Sequence, residues 1–267
     1  MSIEQDWSRI QAERVAHPFA RPLALPPLSM PLRAHAGEAP DAVPAMPLGK
    51  RIFDIALSLA LLVPLSVVML VVAGLVLILQ GRPILFVQWR MQTPTRAFPL
   101  VKFRTMLAAD TEFGVTGADS DWRITPLGGF LRRTRLDELP QLWNILRGQM
   151  SFVGPRPPMP ELVQAEPEIF AEVLRNRPGV TGLATLLYHR HEHWILRHCR
   201  TAEETRAVYM RRCLPAKARI DMIYQRYRTL RLDLWIIAST IHSIVLHPER
   251  RFRRTYRLRR PVKGSRG

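Results

Sequence analysis

Between Ile55 and Leu79 the chain carries no charged residue; the run reads IALSLALLVPLSVVMLVVAGLVLIL. As one straight helix it would be roughly 38 Å long, against about 30 Å for the hydrocarbon core of a bilayer. A helix in a water-soluble core keeps a polar face over such a length. The run therefore reads as a membrane segment. Pro64 lies well inside it, where a missing N–H and a ring clash bend a helix. Both flanks are basic, with Lys50 and Arg51 before the run and Arg82 and Arg90 after it, so positive charge assigns no orientation. Two geometries satisfy these facts: a kinked span, or a hairpin that enters, bends at Pro64 and leaves by the same face. In either, the carbonyl freed at Pro64 needs a donor, for which Ser58 and Ser66 are the candidates.

The rest of the chain divides around this segment. Residues 1–47 hold Pro18, Pro22, Pro26, Pro27, Pro31, Pro40, Pro44 and Pro47 with no sustained period, and read as a disordered extension. No early apolar stretch resembles a secretory signal. The membrane segment proper takes 48–82, a polar domain 83–247 and a basic tail 248–267. The tail carries Arg250, Arg251, Arg253, Arg254, Arg257, Arg259, Arg260, Lys263 and Arg266. Beside an apolar helix, such a run points to contact with anionic lipid.

Within 83–247 the pattern predicts strands over 86–91 and 100–106, a short helix over 127–133 opened by Pro126, and a helix over 138–147 ended by Gly148. A further helix is predicted over 220–230. The apolar stretch 234–246 is too short to span a bilayer, and reads as a core helix or one lying on the membrane surface. The expected class is α+β and helix-rich: one membrane-associated domain with a small β element, preceded by a Pro-kinked membrane helix.

The net charge of +17 suits a polyanionic partner without choosing among nucleic acid, lipid and phosphorylated substrate. Cys199 and Cys213 lack metal-ligand spacing and read as free thiols. His189, His191, His193 and His198 do not match HExxH and read as surface residues.

Arg132-Arg133-Thr134-Arg135-Leu136-Asp137-Glu138-Leu139-Pro140 is the segment richest in chemistry. A proline is tolerated in the first helical turn, where its missing N–H has no helical partner, which places Asp137 at or near an N-cap. Helix starts favour anions, and three arginines add charge there. A carboxylate at a phosphate site can attack phosphorus or hold a divalent metal. Neighbouring helical residues point about 100° apart, so Asp137 and Glu138 make a poor facing acid–base pair and a good division of labour. The plainer reading, a cap followed by a solvated acid, stands beside this one. Arg156 between Pro155 and Pro157, and Arg177 ahead of Gly179 and Gly182, give two more arginine-bearing turns; each alone is also an ordinary rigid turn. Lys102 and Arg104 share one face of the strand expected over 100–106. There they could reach a diphosphate or merely face solvent.

Taken in order, these residues resemble the bacterial sugar transferases, the monotopic polyprenyl-phosphate phosphoglycosyl transferases. Lys50-Arg51-Ile52-Phe53-Asp54 with the Pro-broken run is similar to their entry segment, and Lys102-Phe103-Arg104-Thr105-Met106 to their KFRTM strand. Asp121-Trp122-Arg123-Ile124-Thr125 with Gly128 is similar to the RIT…G element that follows. Leu136 to Asn144 resembles the catalytic LDELPQLWN, Ser151 to Pro157 the SxVGPRP motif, and Arg177 to Gly182 the RPGxTG motif. The resemblance implies that Asp137 is a nucleophile for the β-phosphorus of a UDP-sugar, with UMP released and undecaprenyl phosphate taking the phosphosugar. Such a reaction initiates exopolysaccharide, capsule or O-antigen assembly. The resemblance implies Mg²⁺ at Glu138, phosphate binding by Arg132 and Arg177, and a nucleotide contact by Arg156. It favours the re-entrant hairpin bent at Pro64, with a catalytic domain on the cytoplasmic face of the inner membrane. Self-association is left open.

There are departures. Val63-Pro64 stands where the family often has Ser-Pro, and Leu183-Ala184-Thr185-Leu186-Leu187-Tyr188 where many members have W-A-Q-V-N-G. The second bears on sugar or acceptor choice more than on phosphoryl chemistry. Two other classes compete: a membrane-tethered nucleic-acid-binding protein and an inactive scaffold of a polysaccharide assembly complex. No helix-turn-helix, zinc-finger or RNP signature supports the first, and the intact Asp137-Glu138 pair weighs against the second.

Overall fold

The computed structural model describes residues 46–107, 123–199 and 201–246. The readings for the extension up to residue 45, the tail from 247, and Asp121 and Trp122 lie outside the described residues. Helix α1, Leu48–Gln80, is one continuous 33-residue helix with Pro64 inside it. Ser66 Oγ donates to Val63 O at 2.7 Å, the carbonyl next to the proline, while Ser58 Oγ is buried with no partner among the described residues. Neither therefore serves the carbonyl that Pro64 frees.

Lys50, Asp54 and Ser58, spaced by four, are buried on one face of α1, as are Val72 and Val76 further along. Leu61, Leu62 and Leu65 pack on a cluster of Phe98, Leu100, Leu142, Ile145 and Met150. Val68, Met69 and Ala73 pack with Phe103 and Leu131. The opposite side, including Ile52, Leu59, Val63, Val67, Leu70 and Ile78, is exposed. Helix α1 thus lies along the rest of the domain and packs on it by one face from Lys50 to Val76.

Strands β1, Leu85–Met91, and β2, Ala97–Phe103, pair antiparallel from Leu85↔Phe103 to Met91↔Ala97. The second strand sits three residues earlier than the pattern predicted. The turn sets this register: Thr93 Oγ1 accepts from Arg96 N at 2.9 Å, and Gln92 N donates to Arg96 O at 2.8 Å. Arg104 therefore falls beyond the strand.

Helix α2, Pro126–Thr134, begins at Thr125, whose side chain accepts from Gly128 N, as a Thr cap before proline should. It ends at Arg135, held in the left-handed region at φ 59°. A 3₁₀ turn, Leu136–Glu138, follows, and then the short helix α3, Gln141–Leu146. The single helix expected over 138–147 is thus a 3₁₀ turn plus a shorter helix. Pro140 has no N–H to continue a ladder, and Glu138 N and Leu139 N bond back to Arg135 O and Leu136 O. Asp137 is accordingly not an N-cap.

The two arginine-bearing turns contain strands that the pattern missed. Strand β3, Ser151–Val153, pairs in parallel with β4, Gly179–Thr181. The glycines serve this pairing: a Cβ on Gly154 would lie 2.2 Å from Arg177 O, and one on Gly179 2.1 Å from Gly154 N. The close approach these glycines allow is to the protein's own backbone.

Helices α4, Pro160–Ala165, and α5, Pro167–Val173, form one side cluster with Met91 and Leu214. Helix α6, Leu183–Leu196, and α7, Ala202–Val208, lead through a π-helical turn, Tyr209–Cys213, into α8, Leu214–Tyr227. Helix α8 starts six residues before the expected 220 and ends at Tyr227, ahead of extended Arg228. Helix α9, Leu230–Leu246, buries Asp233 and Ile236 but exposes Leu234 and Ile241, so it is part core helix and part surface.

Candidate active site

Asp137 is the most buried carboxylate of its segment, only 6% exposed, and its Oδ1 has no hydrogen-bond partner among the described residues. Burial, then the neighbouring Glu138, push its pKa up to about 6, against the pull of Arg135, Lys102 and Arg132. Lys102, near the end of β2, is the complementary case. Burial, then Arg156, Arg90 and Arg132, bring it down to about 8, while Asp137 opposes the shift. An acid and a base, each displaced towards neutrality, face one site.

Glu138 is held differently. Its Oε1 accepts from Arg135 Nη1 at 2.7 Å and lies 3.8 Å from Arg156 Nη1. Arg132 Nε donates to Thr105 Oγ1 at 2.8 Å, which ties the arginine to the chain just beyond β2. Gly128 permits that junction: a Cβ there would meet Thr105 O at 2.0 Å. Asn144 locks β2 to α3. Its Nδ2 donates to Pro99 O at 2.8 Å and its Oδ1 accepts from Val101 N at 3.2 Å. The hairpin that carries Lys102 is thereby fixed to the helix that follows Asp137.

Arg156, half-exposed, leaves the end of β3. Its loop runs along β1: Met91 N donates to Pro158 O at 3.0 Å, and Arg90 Nη1 to Pro157 O at 3.3 Å. Arg90, whose pKa burial and then Arg156 lower to about 10, joins the positive rim. Asp137, Glu138, Lys102, Arg132 and Arg156 therefore share one neighbourhood.

A family model described as "Bacterial sugar transferase" matches residues 45–247. The chain belongs to the bacterial sugar transferases. The "Undecaprenyl-phosphate glucose phosphotransferase" of Komagataeibacter xylinus is 34% identical over 202 residues, covering 73% of this chain and 35% of that protein. A "UDP-N-acetylgalactosamine-undecaprenyl-phosphate N-acetylgalactosaminephosphotransferase" of Aeromonas hydrophila is 34% identical over 201 residues, covering 73% of this chain and 43% of its own length. "Exopolysaccharide production protein ExoY" of Sinorhizobium fredii is 38% identical over 152 residues, covering 51% of this chain and 67% of that protein. The chain thus spans less than half the length of the first two relatives.

Two residues expected in this sugar transferase's site lie elsewhere. Arg104 donates to the carbonyls of Gln80, Gly81 and Arg82. It closes the C-terminal end of α1, because the strand ends one residue before it. Arg177 lines a small cleft with Lys50, Asn176, Tyr224 and Arg228. Burial and then Arg51 hold its pKa below the usual arginine value, while Asp54 opposes. Arg177 belongs to the base of α1. Leu183, Ala184 and Tyr188, in the stretch that departs from the family pattern, are core residues, so they shape the site only through packing.

The sequence reading missed Asn144, Thr105 and Arg90. The first two sit inside recognised motifs but act through hydrogen bonds that only the paired hairpin creates. Among the described residues no group of three or more His, Cys, Asp or Glu side chains gathers for a metal. The Asp137–Glu138 pair nevertheless fits a divalent ion of the kind that takes one or two carboxylates and completes its shell with substrate phosphates, since Asp137 Oδ1 is buried and unpartnered.

Proposed function

We propose that the chain moves a sugar-1-phosphate from a UDP-sugar to undecaprenyl phosphate through a covalent intermediate on Asp137. The observation that carries this reading is the Asp137 carboxylate: buried, with one oxygen unpartnered, among Lys102, Arg132 and Arg135. A desolvated carboxylate in a cationic surround is a competent nucleophile towards phosphorus, whose anionic oxygens the cations stabilise. An Asp137 oxygen forms a bond to the β-phosphorus, the bond from that phosphorus to the bridging oxygen breaks, and UMP leaves. An oxygen of undecaprenyl phosphate then attacks the same phosphorus, displaces the Asp137 carboxylate and completes a lipid diphosphate sugar. The activities named for the relatives support the donor and acceptor classes.

Mg²⁺ bound at Glu138 would supply charge neutralisation for the diphosphate. Arg135 orients Glu138; Lys102, Arg132 and Arg156 bind phosphate oxygens. In this reading Arg104 and Arg177 support the site from the ends of α1.

The same reading places α1 in one leaflet of the inner membrane as a re-entrant element bent at Pro64, with the catalytic domain on the cytoplasmic face. The exposed apolar side of α1 and the attachment of Lys50 and Val76, towards its two ends, to one domain support it. Anionic lipid is the proposed partner of the basic run from Arg250 to Arg266.

Purified protein with Mg²⁺, undecaprenyl phosphate and a panel of UDP-sugars tests the chemistry. UMP release is expected for at least one sugar, and a phosphosugar adduct on Asp137 should be seen by mass spectrometry. Asp137→Asn should lower UMP release by at least about 10³-fold; near-normal release would refute the nucleophile. Glu138→Gln should raise the Mg²⁺ concentration needed. Thiols introduced by Pro47→Cys and Ile84→Cys should label from the same side of the membrane; labelling from opposite sides would refute the hairpin.

A further inference from the structure

On the far side of Arg156 from Lys102 lies a second polar cluster that the chemistry above does not use. Lys217 Nζ donates to Glu192 Oε2 at 2.9 Å, joining α8 to α6, and sits 5.2 Å over the ring of Tyr209. Both charged side chains are mostly buried but reach solvent, 14% and 20% exposed. The cluster adjoins the Arg156 loop. Leu214 and Ala218, which flank Lys217, pack in the same group as Met91, and Met159 and Tyr209 pack against that group. Met91 in turn is bonded to Pro158.

The backbone is distorted where this cluster forms. Tyr209 and Lys217 are eight residues apart, which on a regular α-helix leaves them about 80° apart around the axis. The π-helical turn Tyr209–Cys213 lies between them, with Leu214 N bonded to Tyr209 O. One extra residue in that turn takes back about 100°, so the two come to within roughly 20° of one face. The Lys217 side chain leans towards the N-terminus, as helical side chains do, and meets the ring. Bracing α6 against α8 needs no such distortion, since apolar contacts between them would suffice and would avoid burying charge. Single π turns of this kind occur mostly at functional sites.

Arg156 links the two clusters electrostatically: it acts on Lys102 and Arg90 on one side and on Lys217 on the other. A carboxylate, an ammonium and a phenol gathered in one cluster are the groups that bind vicinal hydroxyls. We propose that Glu192, Lys217 and Tyr209 form a hydroxyl-binding subsite that takes the polyol end of the donor, past the phosphates held at Arg156. This rests on the transferase reading above. Hydroxyls on the donor come from its sugar or its ribose, and the two are separable.

The test uses the full-length chain in detergent or nanodiscs, with UMP release measured across the UDP-sugar panel, inhibition by UMP, and thermal melting. Glu192→Gln, Lys217→Met and Tyr209→Phe are compared; Tyr209→Phe keeps the ring and guards against a folding defect in the others. Each should raise the donor KM about tenfold, the size of one lost hydrogen bond to a charged partner, with kcat changed less. Weakened UMP inhibition places the ribose at the subsite. Unchanged UMP inhibition with a reordered sugar preference places the sugar there. Unchanged donor KM, UMP inhibition and sugar ranking, with or without lower melting, would reduce the cluster to a brace and overturn the proposal. A wild-type chain inactive on every donor would instead overturn the transferase reading.

Discussion

Lys50 Nζ lies 2.6 Å from Asp233 Oδ2, so the first turn of α1 is tied to the first turn of α9 across 183 residues of sequence. Tyr224 completes the knot. Its hydroxyl donates to Asp233 Oδ1 at 2.7 Å and lies 3.2 Å from Val153 O, at the end of β3. Arg51 extends the same base, donating to Ile145 O and Leu146 O at the end of α3. The apolar helix is thereby joined to the strand that leads to Arg156 and the helix that follows Asp137.

Breaking that pair from one side should be costly. Asp233 is 1% exposed, and removing one partner of a buried ion pair costs about 3–5 kcal/mol. Lys50→Met and Asp233→Leu should each lower the melting temperature sharply. The double variant should lose less than the sum of the two, since no lone charge is left behind. Additive losses in a double-mutant cycle would show that the pair is not coupled.

The rate of adduct formation should follow a bell in pH. Asp137 is raised to about 6 and must be ionised to attack, so the rate climbs as pH passes that value. Lys102 is lowered to about 8 and must be charged to hold phosphate, so the rate falls as pH passes that value. Glu138 raises the Asp137 pKa and Lys102 lowers it. Glu138→Gln should therefore move the acid limb down, and Lys102→Met should move it up while removing the basic limb. Stopped-time assays of donor-only turnover across pH 5–9 read both limbs; a flat profile through pH 6 would refute ionisation of Asp137 as the controlling step.

Asn144 should prove a positioning residue. It is 1% exposed and serves Pro99 O, Val101 N and Gln149 Oε1. Asn144→Leu leaves the Val101 N–H and the Pro99 carbonyl without these partners, at about 1–3 kcal/mol for each buried group left unsatisfied. It should also loosen Lys102 relative to Asp137. The expected result is lower melting together with a slower first step and a changed basic limb of the pH profile. A melting loss with unchanged pH profile would reduce it to a fold-stabilising role.

What the sequence made legible follows from how local each cause is. The uncharged run, the Thr125-Pro126 helix start and the sugar transferase motifs depend on neighbours along the chain, and they were readable. The β2 register was misread because Thr93 in the turn fixes it. Arg104 was misplaced with it, since three residues of slip carried its guanidinium from the strand face to the end of α1. Asp137 was read as a helix cap because Pro140 permits a helix start; the 3₁₀ turn follows from left-handed Arg135, which the sequence does not announce. Arg177 was grouped with Asp137 by motif, and only the parallel pairing of β3 with β4 carries it to the base of α1.

That pairing supplies the last prediction. Gly154 lies between Val153 and the Arg156 loop, and its N–H donates to Thr181 O at 2.9 Å. A Cβ there would lie 2.2 Å from Arg177 O and 2.9 Å from Gly179 N, both backbone atoms that cannot swing away. Gly154→Ala should therefore force β3 and β4 apart, at a cost of about 1–3 kcal/mol or more for an overpacked site. The displaced strand end carries Arg156 with it. The variant should melt lower and show a raised donor KM, whereas Gly74→Ala, where a Cβ meets nothing within 4 Å, should leave both unchanged. Wild-type donor KM in Gly154→Ala would refute the claim that the strand pair sets the position of Arg156.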